Sequence, residues 1–167
     1  MAAEIRLATA ADLEAIMRIE TSTFVTDAWS AETMRAELAS PHTHYLVALA
    51  DDTAGVESPD EAAPGALAGY AGLLAPRNSG DADIQTIAVV PAARRNGLGR
   101  RLMVELMTEA AARGARHVFL EVRADNPNAR ALYESLGFAQ IAVRAHYYQP
   151  DDVAAVVMRV ALAEGAS

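Results

Sequence analysis

Apolar and polar residues alternate at Ile5 and Leu7 in EIRLAT, the period of a half-buried strand. The period then lengthens to that of a helix, with Leu13, Ile16 and Met17 on one face and Thr9 as N-cap. TSTFVTDAW breaks the pattern and reads as a loop, and Ser30 then caps a short helix, AETMRAEL. HYLVALA and ALAGYAGLLA predict two strands, and IQTIAVV a central strand apolar on both faces. Leu98, Leu102, Met103, Leu106, Met107 and Ala110 form a helical stripe closed by Gly114. After a further strand, HVFLEVRA, Asn126 and Pro127 open a helix that buries Ala129, Leu132, Tyr133 and Leu136 and stops at Gly137. FAQIAVRAHYY and VAAVVMRVAL predict the last two strands. The order β-α-α-β-β-β-α-β-α-β-β implies an α/β (α+β) fold, a mixed sheet with helices on both faces.

One stretch carries no period. DDTAGVESPDEAAPG has five acids and two prolines and predicts a flexible acidic hairpin insert over 51–65. The rest, 1–163, reads as a single domain with a tail at 164–167, and no internal repeat is visible.

Composition narrows the chemistry. The chain has 167 residues, a net charge of -8, 14 arginines and no lysine. An acidic balance argues against nucleic-acid binding and favours a cationic partner or mere solubility. No apolar run is long enough to cross a membrane and the N-terminus lacks signal-peptide character, so a cytoplasmic protein is expected. Absence of cysteine excludes disulfides, thiolate metal sites and a cysteine nucleophile. His42, His44, His117 and His146 have no metal-ligand spacing, and no metal is expected.

Against this acidity, Arg94, Arg95, Arg100 and Arg101 crowd into eight residues around Gly97 and Gly99, between a central strand and a helix. Glycines let the backbone approach an anion, the helix N-terminus is positive, and arginines add donors. The arrangement fits a pyrophosphate or a plain glycine turn with solvated arginines. It is not a P-loop, which needs a lysine. Further on, Glu121 sits in an apolar strand, where desolvation would raise its pKa and suit it as a base; alternatively it pairs with Arg123 or Arg130. Asn126 reads as a helix cap and Tyr133 as core packing when each is taken alone.

Taken together, RxxGxG after a strand, LEVRADN and LYESLGF resemble the GCN5-related N-acetyltransferase (GNAT) superfamily across nearly the whole chain. With IQTIAV and AHYY they resemble its RimI group of bacterial protein N-terminal acetyltransferases. The resemblance implies a mostly antiparallel sheet in which two parallel strands, IQTIAVV and HVFLEVR, splay to admit acetyl-CoA. It implies that Ile87, Ala88 and Val89 pair with the pantetheine arm. The backbone of Arg95, Asn96, Gly97, Leu98, Gly99 and Arg100 would hold the pyrophosphate, with Arg94 and Arg101 as further candidate phosphate contacts and Asn126 further along. It further implies Glu121 as general base and Tyr133 as general acid.

The implied acceptor is a protein N-terminus, that of the basic ribosomal protein number eighteen of the small subunit. Phe24, Trp29, Tyr147 and Tyr148 are the candidate acceptor walls, and Asp27, Asp151 and Asp152 candidate partners for its basic residues. An α-amine of pKa ~8 asks little of a base, and a tyrosine of pKa ~10 is a fitting donor to a departing thiolate. Without cysteine, direct transfer is the simplest scheme. Lysine side chains, small amines, or a non-catalytic acyl-CoA-binding module remain as alternatives, and a monomer is compatible with the sequence.

Overall fold

The computed structural model describes residues 3–24, 28–50, 67–94 and 97–162. The acidic insert predicted over 51–65, the tail 164–167, and Asp27, Arg95 and Asn96 therefore lie outside the described residues. Seven strands form one sheet in the order β1-β2-β3-β4-β5-β7-β6. They are β1 Ile5–Leu7, β2 Thr43–Leu49, β3 Leu67–Leu74, β4 Asp81–Val89, β5 His117–Arg123, β6 Ala139–Tyr148 and β7 Val153–Ala161. The helices are α1 Leu13–Thr23, α2 Ala31–Ala39, α3 Leu98–Ala112 and α4 Pro127–Ser135. The predicted order of elements holds throughout.

Two boundaries differ from expectation. TST of TSTFVTDAW belongs to the last turn of α1, where Thr21 and Ser22 bond back to the carbonyls of Met17 and Ile19 at 2.8 and 3.1 Å. These polar residues thus extend the helix. At the other end a 3₁₀ turn, Ala10–Asp12, intervenes between Thr9 and α1. There the Asp12 carboxylate accepts the Thr9 N–H at 2.8 Å and is gripped by Arg6 at 2.9 Å through both oxygens. Ser30 caps α2 as expected, accepting from the Thr33 N–H at 3.1 Å.

The sheet is covered on both faces. Leu98, Leu102, Met103, Leu106 and Ala110 of α3 pack with Leu46, Leu73, Ala82, Ile84, Leu120 and Met158 on one side. Leu102, Met103 and Leu106 are fully buried, each contributing about 1.5–3 kcal/mol through removal from water. Ile16 and Ile19 of α1 and Met34 of α2 pack with Tyr45, Val47 and Tyr70 on the other. Gly72 has a steric role here: a Cβ would lie 2.2 Å from the Tyr45 ring, so only glycine lets that ring cross β3.

β4 and β5 run parallel but pair only from Asp81 to Asp83, opposite His117 to Phe119. Beyond that point they part, as the resemblance implies. In the same stretch the register of β4 against β3 shifts between Thr86 and Ile84, leaving Gln85 as an extra residue. Such a bulge reverses which side chains face which way. Ala82 and Ile84 accordingly join the α3 face, while Ala88 joins the α1–α2 face.

Candidate active site

A cavity of about 1690 Å³ lies at the splay, lined from both faces of the sheet. Of the described sequence-predicted site residues, all line it except Arg101, Asp151 and Asp152. Its two sides are built differently.

On the α3 side the backbone does most of the work. The Val90 N–H bonds to the Ala68 carbonyl at 2.9 Å. By the alternation of an antiparallel ladder, Ala88 turns its backbone polar groups toward β3. Those of Ile87 and Val89 then face the gap, where β5 no longer pairs. Consistently, the Val89 carbonyl accepts from Arg94 Nε at 2.9 Å. Past the strand, Gly97 has φ 77° in the left-handed region, which favours glycine, and a Cβ there would meet no atom within 4 Å. This conformation starts α3 with the free amides of its first turn, Leu98 to Arg100, beside the cavity. The side chain of Arg100 bonds to Ser135 Oγ at 2.9 Å, tying α3 to α4. Arg101 departs from the expected phosphate contact: its guanidinium donates to the Ala3 carbonyl at 2.8 Å, outside the cavity lining.

α4 supplies two more groups. Asn126 is a helix cap, its Oδ1 accepting from the Ala129 N–H at 3.2 Å, and it also lines the cavity. Tyr133 is buried in the α3-side core, edge-on to Phe138 at 6.1 Å. Burial pushes its phenol up to about 12. The side chain borders the cavity and makes no hydrogen bond among the described residues.

The α1–α2 side is built from side chains. Leu120 and Val122 enter the core on the α3 face, so Glu121 between them points the opposite way. Glu121 and Tyr133 therefore reach one cavity from opposite faces of the sheet. Glu121 is more open than its apolar neighbours suggest, with 34% of its side chain exposed, and its partner is Arg144, at 3.1 Å. The sequence reading offered Arg123 or Arg130. Instead Arg123 bonds to Asp125 and Asp151, at 3.0 and 2.9 Å, and Arg130 to Gln140 at 3.2 Å. Exposed ion pairs contribute about 0–1 kcal/mol, so the Glu121–Arg144 pair orients more than it stabilises.

The aromatic walls extend this pattern. Arg144 lies over the Tyr147 ring at 4.3 Å and Arg123 over the Tyr148 ring at 5.1 Å. Tyr147 and Tyr148 meet edge to face at 5.0 Å. Of the acids proposed to meet a basic acceptor, Asp151 is held by Arg123 and Asp152 by His146 Nδ1 at 2.5 Å. His146 and Gln149 hold the Asp152 carboxyl below the usual range. Both acids are already engaged by this chain's own groups.

Arg144, Asp83 and Glu20 are among the cavity-lining residues that the sequence reading does not single out. Arg144 lies 23 residues from Glu121, and no local pattern links the two. Asp83 sits at the last paired position before the splay, and burial, then Asp81 and Glu121, push its carboxyl up. Glu20 is a carboxylate with 1% exposure on α1. One signal was available for it: Glu20 follows Ile16 by four residues and thus falls on the apolar stripe.

The acetyltransferase (GNAT) family model matches residues 13–138. The chain belongs to this family. It is 38% identical to the N-alpha-acetyltransferase RimI of Mycobacterium tuberculosis over 154 residues, 90% of this chain and 87% of that protein. Among solved structures it is similar to the ribosomal-protein-S18-alanine N-acetyltransferase of Escherichia coli, with a TM-score of 0.74 and 28% identity over 99% of this chain and 98% of that one. It is also similar to a GNAT phosphinothricin acetyltransferase from Sinorhizobium meliloti in complex with acetyl-CoA, with a TM-score of 0.78 and 26% identity over 99% and 91% of the two chains. As a GNAT enzyme of RimI type, the chain takes its acetyl group from acetyl-CoA. The residues present suit this donor, because glycine-shaped amides, an unpaired strand edge and a phenol stand in series along one cavity.

Proposed function

We propose that this enzyme acetylates the N-terminal α-amine of a protein, the N-terminal alanine of ribosomal protein number eighteen of the small subunit being the leading acceptor. The observation that carries the mechanism is the approach of Glu121 and Tyr133 to one cavity from opposite faces of the sheet. The relatives that carry an alanine N-acetyltransferase name support the acceptor. A cytoplasmic site of action agrees with such an acceptor.

Acetyl-CoA supplies an activated acetyl thioester. Ile87 and Val89 hold the donor arm through the backbone groups that face the gap, with Gly97, Leu98, Gly99, Arg100 and Asn126 beyond them. Arg95 and Asn96 are proposed for the same cradle on the resemblance alone. Phe24, Trp29, Tyr147 and Tyr148 wall the acceptor side. Glu121 receives the proton that the acceptor amine must lose, directly or through a water, and must exchange Arg144 to do so. Its task is small, since about a tenth of an α-amine of pKa ~8 is neutral at pH 7. As the new C–N bond forms and the C–S bond breaks, Tyr133 gives its phenolic proton to the departing sulfur. The proton on Glu121 then passes to water, and Tyr133 is reprotonated from it.

The test offers the wild type three acceptors: alanine-starting peptides, α-blocked peptides with an internal lysine, and free polyamines. The α-amine of the first is expected to be acetylated with the highest kcat/KM. A preference for lysine or polyamines contradicts this reading, and no turnover with any of them favours a binding module.

A further inference from the structure

The mechanism leaves Glu20 without a task, although it lines the same cavity. Its Oε2 accepts the backbone N–H of Trp29 at 2.9 Å. Its Oε1 accepts from the Tyr70 hydroxyl and from Thr86 Oγ1, the latter at 3.4 Å. Tyr70 and Thr86 also touch each other, at 3.3 Å. These donors come from three places: the α1–α2 connection, β3 and β4. The Trp29 N–H can only donate, and a carboxylate accepts from it and from both hydroxyls at once. A glutamine of the same shape keeps one acceptor oxygen, so its NH₂ would face either the Trp29 N–H, donor against donor, or the two hydroxyls, which must then turn to accept and lose their charge-assisted bond.

The position of these donors gives the network its meaning. Trp29 is an acceptor-side wall residue, facing the cavity with Phe24 and Tyr147. Thr86 immediately precedes Ile87, whose backbone groups face the gap on the donor side. One buried carboxylate therefore fixes the acceptor wall to the strand that receives the acetyl donor. Glu121 cannot serve as this link, because its carboxylate is held at the rim by Arg144.

We infer that Glu20 is a positioning residue for the acceptor: it sets the place of the Trp29 wall relative to β4, and so the distance between the incoming amine and the acetyl group. The inference deepens the function proposed above and rests on it for the identity of the acceptor. Glu20 is given no proton to move and no contact with the reacting atoms.

The test is Glu20→Gln, read by steady-state kinetics with both substrates and by tryptophan emission. Trp29 is the chain's single tryptophan, so its emission reports this wall directly. The KM for an alanine-starting peptide is expected to rise on the order of tenfold, the effect of one lost charge-assisted hydrogen bond. The KM for acetyl-CoA should stay within about twofold, and the emission should shift to the red as the wall loosens. Glu20→Asp, which keeps the acceptor-only group on a shorter stem, should fall between wild type and Glu20→Gln. If Glu20→Gln does not fold, Tyr70→Phe removes one donor without changing shape and should give the same split at smaller size. An unchanged peptide KM, an unshifted emission, or an equal rise for both substrates overturns the inference. The fluorescence arm needs no acceptor, so it judges Glu20 even if the wild type acetylates no α-amine.

Discussion

The two sides of the cleft solve different problems with different materials. The proposed donor side is made of backbone: a left-handed glycine, the first amides of α3 and a strand edge opened where β4 leaves β5. The proposed acceptor side relies on side-chain contacts: Glu121 is held by Arg144 and Asp151 by Arg123, from distant parts of the sequence, and Glu20 holds the backbone N–H of Trp29. A donor common to a whole family can be held by conformation.

Substitutions should separate the two sides. The largest effect is expected from Tyr133→Phe, which leaves the edge contact with Phe138 and removes only the proton donor. Its kcat should fall by about 10²–10⁴, the usual contribution of a positioned acid. The wild-type profile tests the same group. Burial raises this phenol to about 12, so it stays protonated below that pH, and kcat should show no fall near pH 10.

Glu121→Gln is expected to cost less, about tenfold to 10² in kcat/KM at pH 7. The deficit should shrink as pH rises from 6 to 9, because an amine of pKa ~8 then loses its proton to water without help. A deficit that stays constant over this range would mean that Glu121 positions the acceptor instead. Gly97→Ala acts on the other side. Forcing a side chain into the left-handed region costs roughly 1–2 kcal/mol, so the KM for acetyl-CoA should rise about five- to thirtyfold while that for peptide holds. The smallest effect is expected from Asp152→Asn. This acid is held by His146, so peptide KM should change less than about twofold, measured with a basic peptide at low salt.

This division also governs what the sequence could disclose. Apolar patterns located every strand and α-helix, as the regular burial along α3, β5 and β7 illustrates, but not the 3₁₀ turn Ala10–Asp12. The proposed donor side is visible as a motif because Gly97, Leu98, Gly99 and Arg100 are neighbours in the chain, though its role comes from the family resemblance. The acceptor side was legible only as single residues. Glu121 and Arg144 are 23 positions apart, Glu20 and Tyr70 50, and Glu20 and Thr86 66. The fold creates those pairs, and no local window contains them. Arg101 shows the converse error, since an arginine beside the glycines in sequence points to Ala3 in space. The polar run TST likewise suggested a loop, but side-chain bonds back to helix carbonyls carry it into α1.

Central to this account is that donor and acceptor occupy the two sides of one cleft together, and that the acetyl group passes directly between them. Initial velocities with acetyl-CoA varied at several fixed concentrations of an alanine-starting peptide test this most directly, with the acetylated atom located by mass spectrometry. Intersecting double-reciprocal lines and acetylation of the α-amine are predicted. Parallel lines, or an acetyl group on a lysine in the same peptide, would contradict it.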